Sequence, residues 1–149
     1  MSSSITFRRG LLDQAFRGDV FHNPSTEQIN VALHFASTTT STDPMTNSTA
    51  FNASHTASGS NDSFADVQFD AADTNSVSDN TSDLSVANVQ SGVSGGLSNG
   101  YITWVTLHKA TDATTTFANA IMSIQVSATT FSDGDTVQIN AGNLDVSLT

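Results

Sequence analysis

The residue group closest to a metal-binding motif is the acidic triplet Asp133-Gly134-Asp135 near the end of the chain. A calcium loop of the EF-hand type needs oxygen ligands at positions 1, 3 and 5 and a bidentate Glu at position 12. Counted from Asp133, position 5 is Val137 and position 12 is Leu144, so the ligand pattern fails. Gly between two Asp residues instead suits a tight turn, where Gly takes positive φ and Asp bonds nearby backbone. The histidines are His22, His34, His55 and His108, and no two are spaced as a local metal motif. A zinc site would also need a third ligand and groups to orient the imidazoles. His34 and His108 stand opposite the apolar stripe of strand-like stretches, so the four are expected at the surface or at edges.

Ser, His and Asp are all present, but Ser and Asp are so frequent that their presence selects no catalytic triad. Gly92-Val-Ser-Gly-Gly96 falls within a Gly/Ser-rich stretch, 90–100, expected to be a loop. No phosphate-binding loop or dinucleotide fingerprint occurs. Catalytic residues, metal ligands and cofactors are therefore not assigned, and enzymatic activity is not expected. Trp104 lies beside Tyr101 and Ile102. In a regular strand Ile102 and Trp104 share a face, which favours a core Trp over an exposed stacking platform.

The elements that must carry these residues are mostly strands. Ile29, Val31, Leu33 and Phe35 alternate with Asn30, Ala32 and His34, the pattern of a strand with one buried face. Tyr101–Lys109 is rich in aromatic and β-branched residues and predicts the strongest strand. Further strands are expected at 64–69, 84–89, 117–125, 136–140 and 143–148, the last two forming a closing pair joined through Ala141-Gly142. Residues 36–63 are poor in apolar side chains and predict a surface excursion with a short strand near Ala50–Asn52. One helix is expected, Gly10–Gly18, because Leu11, Leu12, Ala15 and Phe16 fall on one helical face. It is too short to be stable alone and must pack on something. Residues 1–7 precede it as a flexible or extended arm.

Of the 149 residues, 37% are hydrophobic and only 12% charged, and Ser, Thr, Asn and Asp supply the polarity. Such short polar side chains compete for backbone hydrogen bonds and favour turns and edges over helix interiors. Glu27 and Lys109 are the single Glu and Lys. The composition and the spacing of short strands predict an all-β protein, a β-sandwich or barrel with a short N-terminal helix and arm. The expected organisation is an arm and helix over 1–18 and a single β-domain over 19–149. With no cysteine, disulfides and thiolate metal sites are excluded. No apolar run is long enough for a membrane helix, and the first residues do not resemble a secretory signal. Without such a signal, the four Asn-x-Ser/Thr sequences at Asn47, Asn52, Asn61 and Asn80 are expected by chance in so Asn-rich a chain.

The net charge of −10 is unevenly placed. Arg8, Arg9 and Arg17 are the only arginines, so residues 1–18 carry +2 and the remainder −12. A body of that charge repels phosphate, and nucleic acid is not an expected partner. The basic segment suits an acidic protein surface. Arg8, Arg9, Leu11, Leu12, Phe16 and Arg17 are the expected partner-binding residues.

The order of several landmarks resembles a family of small tailed-phage virion proteins. These are Leu11-Leu-Asp-Gln-Ala-Phe-Arg-Gly18, Val31-Ala-Leu-His34, Ile102–Thr114 around Trp104 and Asp112-Ala-Thr, and Ser132–Leu148 with Gly134-Asp135 and Ala141-Gly142. The resemblance covers both ends; the Gly-rich, Tyr-Arg-containing stretch usual before the family's second main strand has no counterpart in residues 44–63. Members are described as tail fibre proteins, and similar jelly-roll or sandwich domains serve as capsid decoration (cement) proteins. The resemblance implies a jelly-roll-like β-sandwich on the virion's capsid surface, a homotrimer whose partner is the major capsid protein. Its alternative is a tail or fibre component that contacts a host receptor or glycan through loops 36–63 and 90–100.

Overall fold

The computed structural model describes residues 2–3, 5–17, 26–55, 63–71, 73, 77–87, 89, 97, 99–111 and 115–147. The protein is mainly β, with several antiparallel sheets and two α-helices among these residues. The largest sheet has five strands in the order β1 (Ser2–Ser3), β7 (Ala120–Ser132), β6 (Asn99–Ala110), β2 (Gln28–Ala36) and β3 (Ser63–Phe64). Two ribbons complete the β structure. One pairs β5 (Leu84–Val86) with β8 (Val137–Ile139); the other pairs β4 (Val77–Asp79) with β9 (Asp145–Ser147).

The alternation read from the sequence determines the main core. Val31, Leu33 and Phe35 pair across to Leu107, Val105 and Ile102, and Met122 and Ile124 continue the rows onto β7. Val67, Val89, Phe131 and Leu144 join this buried cluster, and Leu84, Val86, Val137, Ile139 and Val146 of the ribbons pack against it. The core thus lies between the five-stranded sheet and the ribbons. The rings of Phe35 and Phe131 sit 4.7 Å apart within it. At the end of the sheet the chains approach so closely that a Cβ on Gly100 would stand 2.5 Å from the Ala36 carbonyl oxygen.

Several expectations need correction. The segment near Ala50–Asn52 is a helix, α2 (Ser48–Ser54), preceded by a 3₁₀ turn at Pro44–Thr46. Asn47 caps α2 by accepting from the Ala50 N–H at 2.9 Å, a local signal that outweighs the weak helix propensity of its Ser, Thr and Asn. The closing strands do not pair with each other. Turns at Gly134 and Gly142, both at positive φ, send β8 to β5 and β9 to β4. Asn80 holds the second turn: its amide donates to the Ser82 and Asn140 carbonyls, and its oxygen accepts from Asn143 and Leu144.

Other segments differ in extent. The strand expected at 64–69 stops at Phe64, with Asp66 at φ +53 and Phe69 only bridging to Asn80. That expected at 84–89 ends at Val86. A 3₁₀ turn occupies Phe117–Asn119 ahead of β7. The first helix, α1, runs from Ile5 to Arg17, so the last three residues of the expected arm are helical, and β1 pairs with Met122 and Ser123. Gly18 and Leu148 lie outside the described residues.

Trp104 also departs from the regular-strand expectation. His34 pairs with Trp104 but the next residue, Phe35, with Ile102, so β6 bulges at Thr103 against β2. The bulge puts Ile102 on the core face beside Phe35 and Trp104 on the other face beside His34. Trp104 is half-buried, and its indole N–H reaches the Ser41 carbonyl at 3.4 Å.

Candidate functional site

The second face of the sheet is built from Asn30, Ala32 and His34 on β2, Trp104, Thr106 and His108 on β6, and Ser123 on β7. A strand face of that composition normally meets water. Here α2 and the 3₁₀ turns cover it, and Asn30, His34, Thr106, His108 and Ser123 are all completely buried. His55 is buried as well, so the expectation of surface or edge histidines is overturned for His34, His55 and His108. His22 lies outside the described residues.

Phe51 is the hub of this second core. Its ring, fully buried, stands 4.9 Å from His34, 5.4 Å from His55, 5.6 Å from His108 and 6.1 Å from Phe117. These are edge-to-face contacts, the arrangement that ring quadrupoles favour. A large aromatic at the centre removes water, so every polar group around it must find a protein partner.

The partners form a chain. Ser54 Oγ lies 2.8 Å from His34 Nδ1, and His34 Nε2 lies 2.8 Å from Thr106 Oγ1. Thr106 Oγ1 is 2.7 Å from His108 Nε2, and His108 Nδ1 is 2.9 Å from Asn119 Oδ1. The direction of each bond follows from one end. Asn119 Oδ1 accepts from the Thr116 N–H and therefore is the carbonyl oxygen, so His108 Nδ1 carries the proton. His108 Nε2 must then accept from the Thr106 hydroxyl. Thr106 has spent its only proton and accepts from His34 Nε2–H, which leaves His34 Nδ1 as an acceptor facing Ser54, whose hydroxyl also lies 3.2 Å from the Ala50 and Phe51 carbonyls. Both imidazoles are neutral, with one nitrogen donating and one accepting.

The electrostatics agree. Burial above all, with His55 and His108 nearby, holds His34 well below the ordinary imidazole value. Burial lowers His108 to about 4, although its bond to Asn119 works in the opposite direction. Beside the chain, His55 Nε2 meets Thr115 Oγ1 at 2.9 Å and the Ser123 hydroxyl donates to Asp43 Oδ1 at 2.7 Å. Among the described residues no group of three or more His, Asp or Glu is arranged to hold a metal ion. Asp133-Gly134-Asp135 is the expected turn: Gly134 has φ +94, and Asp135 Oδ2 accepts from the Ser132 N–H.

Ser54 is where the chain meets the surface. It lines an open cavity of about 830 Å³ between α2 and the loop that follows β2. Phe35, Ala36, Ala50, Ala53 and Leu97 form its apolar part; Ser, Thr and Asn side chains supply the rest of the described wall. Among the described residues that line it, none is charged.

The residues expected to bind a partner lie elsewhere, on α1. Arg8, Arg9 and Arg17 are exposed, Leu11 is half-buried, and Leu12 and Phe16 are 58% and 83% exposed. Asp13 and Arg17 form an exposed ion pair at 3.7 Å, of the kind that adds little stability. Gly92-Val-Ser-Gly-Gly96 has the Gly-x-Ser-x-Gly spacing of a nucleophile elbow and lies outside the described residues. No described helix is long and apolar enough to cross a membrane. No protein-family model and no curated protein matches the chain.

The signal for the buried histidines was present but indirect. The outer face of β2 and the Trp104–His108 part of β6 carry no charged residue at the positions that line up with His34, whereas a solvated strand face normally would. Phe51 is the one aromatic in the long polar segment 36–63 and needs burial somewhere.

Proposed function

We propose that the protein is a non-enzymatic structural component of a phage virion, a capsid decoration or cement protein that binds the major capsid protein and stabilises the shell. In this reading the five-stranded sheet and the ribbons are the layers of a jelly-roll-like sandwich, and three copies associate on the capsid surface. The observation that carries it is α1, whose Leu12 and Phe16 project into solvent between exposed arginines. Covering two large apolar side chains is worth about 2 kcal/mol each. Arginines around them favour an acidic protein surface. Three arms per trimer would multiply a weak contact through effective concentration.

Two experiments test this. Removing residues 1–18 should abolish occupancy on purified capsids, measured by co-sedimentation. The double change Leu12→Ser and Phe16→Ser should weaken it by at least about tenfold, since both sites lose their buried area. Unchanged occupancy in both, with the β-rich circular dichroism spectrum retained, overturns the proposal.

A second reading is a tail or fibre component that binds a host receptor or glycan. The cavity beside α2 favours it, because the 36–63 segment and Leu97 supply almost all of its wall. It predicts that the purified protein binds host cells. Absence of binding to host envelopes counts against it.

A further inference from the structure

The hydrogen-bonded chain from Ser54 to Asn119 has room for one added proton and no more. Suppose His108 takes it. His108 Nε2–H then donates to Thr106, the Thr106 hydroxyl turns to His34 Nε2, and His34 Nδ1–H donates to Ser54. The Ser54 hydroxyl is left to donate to the Ala50 or Phe51 carbonyl, each 3.2 Å away, so every bond survives with its direction reversed. A second proton does not fit. Thr106 Oγ1 then faces an N–H from both imidazoles, and its own proton has no acceptor.

The surroundings do not balance the charge either. His34 and His108 bond only to neutral groups, and His55 stands 5.2 Å from His34, so a charge on one ring opposes a charge on the next. Among the described residues, β7 and the Phe117–Asn119 turn bring no charged side chain, and α2 brings only His55 at its end. Lys109 aligns with Ile29 on the opposite face and is paired with Glu27. Asp43, ahead of α2, accepts from the Met45 N–H and the Ser123 hydroxyl. Asp66, beside Asn30, turns its carboxylate to Gln68. Burial holds both imidazoles below their ordinary value, so below pH 6.5 a form that gives them to water binds more protons than the closed one.

What keeps them from water is α2. Phe51 packs on both rings, and seven residues do not hold a helix without that contact. The core on the opposite face of the sheet is a cluster of apolar side chains, with nothing in it to titrate. We propose that His34, Thr106 and His108 form an acid-operated latch: when the chain takes its second proton, α2 leaves the sheet and uncovers Phe51 and the face beneath it, while the opposite core stays closed. The device holds under either reading of the protein's role and does not depend on α1.

The test is amide hydrogen exchange of the isotopically labelled full chain, followed by NMR at pH 7.5, 6 and 5 and corrected for the intrinsic exchange rate. With His108 at about 4 when closed and near 6.5 when open, its protonation alone should favour opening by about 30-fold between pH 7.5 and 5. His34 adds to this in the same direction. The Phe51 and His55 amides, bonded to the Asn47 and Phe51 carbonyls, report the opening of α2. Those of Val31, Leu33, Val105 and Leu107 report the opposite core and should keep their protection. Imidazole signals from the same samples should show His34 and His108 each gaining a proton in step with the loss at α2. The double change His34→Gln and His108→Gln keeps polar hydrogen-bonding side chains without the titration, so α2 protection should no longer depend on pH. The inference is overturned if α2 protection falls by less than about tenfold, if β2 and β6 lose theirs along with it, or if both imidazoles titrate while α2 stays closed. It is also overturned if the double variant, with its β-rich circular dichroism spectrum retained, opens as steeply as the unaltered chain. Should that variant not fold, the measurements on the unaltered chain decide.

Discussion

Thr106 is the residue on which the second core turns. It accepts from one histidine and donates to the other, and it is completely buried. Thr106→Val keeps the volume but leaves a donor on His34 and an acceptor on His108 without partners. Each such loss costs about 1–3 kcal/mol, so urea denaturation should show a destabilisation of about 2–5 kcal/mol. A change below about 0.5 kcal/mol would mean that water or a rearranged side chain takes the hydroxyl's place. The same chain predicts a pH response. Folding depresses both imidazoles, so below the ordinary value near 6.5 the unfolded chain binds more protons than the folded one. Stability should therefore be full above pH 6.5 and fall as the pH drops towards about 4, where His108 protonates in the folded state, with His34 extending the loss further. Denaturation midpoints between pH 7.5 and 4 test this, and His108→Asn should flatten the slope. These roles were not legible from the residue types, because neither His34 nor His108 has a sequence neighbour among its hydrogen-bond partners except Thr106.

At the scale of elements, α2 exists by virtue of what it covers. Seven residues of Ser, Thr, Asn, Ala and Phe are too few to form a stable helix in water. Asn47 starts it, Phe51 anchors it and Ser54 ties it to β2. Phe51→Ala should cost about 3–5 kcal/mol and free the helix from the sheet. Hydrogen exchange should then accelerate in 48–54 while β2 and β6 stay protected; uniform loss of protection would show that the second core is inseparable from the first. The strands β2 and β6 were legible, because their alternation is long; the strand at 117–125 was legible only in part, and which strands pair was not. For β8 and β9 the stripes were legible but the partners were not, since three-residue strands carry no information about which edge they will meet. The Thr103 bulge was equally silent: one irregular register moved Trp104 to the face opposite Ile102.

For the whole molecule, the dominant feature is an acidic surface with few cations to offset it. Lys109 is paired with Glu27 at 3.2 Å, and the arginines lie on α1. Carboxylates therefore face one another, most clearly where the β4–β9 ribbon brings Asp79 beside Asp145 and near Asp70 and Asp73. Loss of hydration at Asp79, then the Asp145 and Asp70 charges, raise its carboxyl above the ordinary value. A raised folded value means that the charged form opposes folding above it, the reverse of the histidine effect. Asp79→Asn should raise the melting temperature at pH 7, and by less in concentrated salt, which screens the neighbouring charges. A lower melting temperature would show that the hydrogen bond Asp79 shares with Asp145 outweighs the repulsion.

By itself, the sequence determined that the chain is mainly β, which stripes of β2 and β6 face a core, that Asp133-Gly134-Asp135 turns the chain, and that α1 carries basic and apolar residues together. Each of these depends on spacing within a few residues, where backbone geometry alone sets direction. Tertiary structure decided that the other face of β2 is also a core, that His34, Thr106 and His108 meet, and that a hydroxyl-lined cavity opens beside them. Those outcomes depend on residues up to 72 positions apart, from Ser54 through His34 to Thr106, brought together by strand register and by a helix that forms only on the surface it buries.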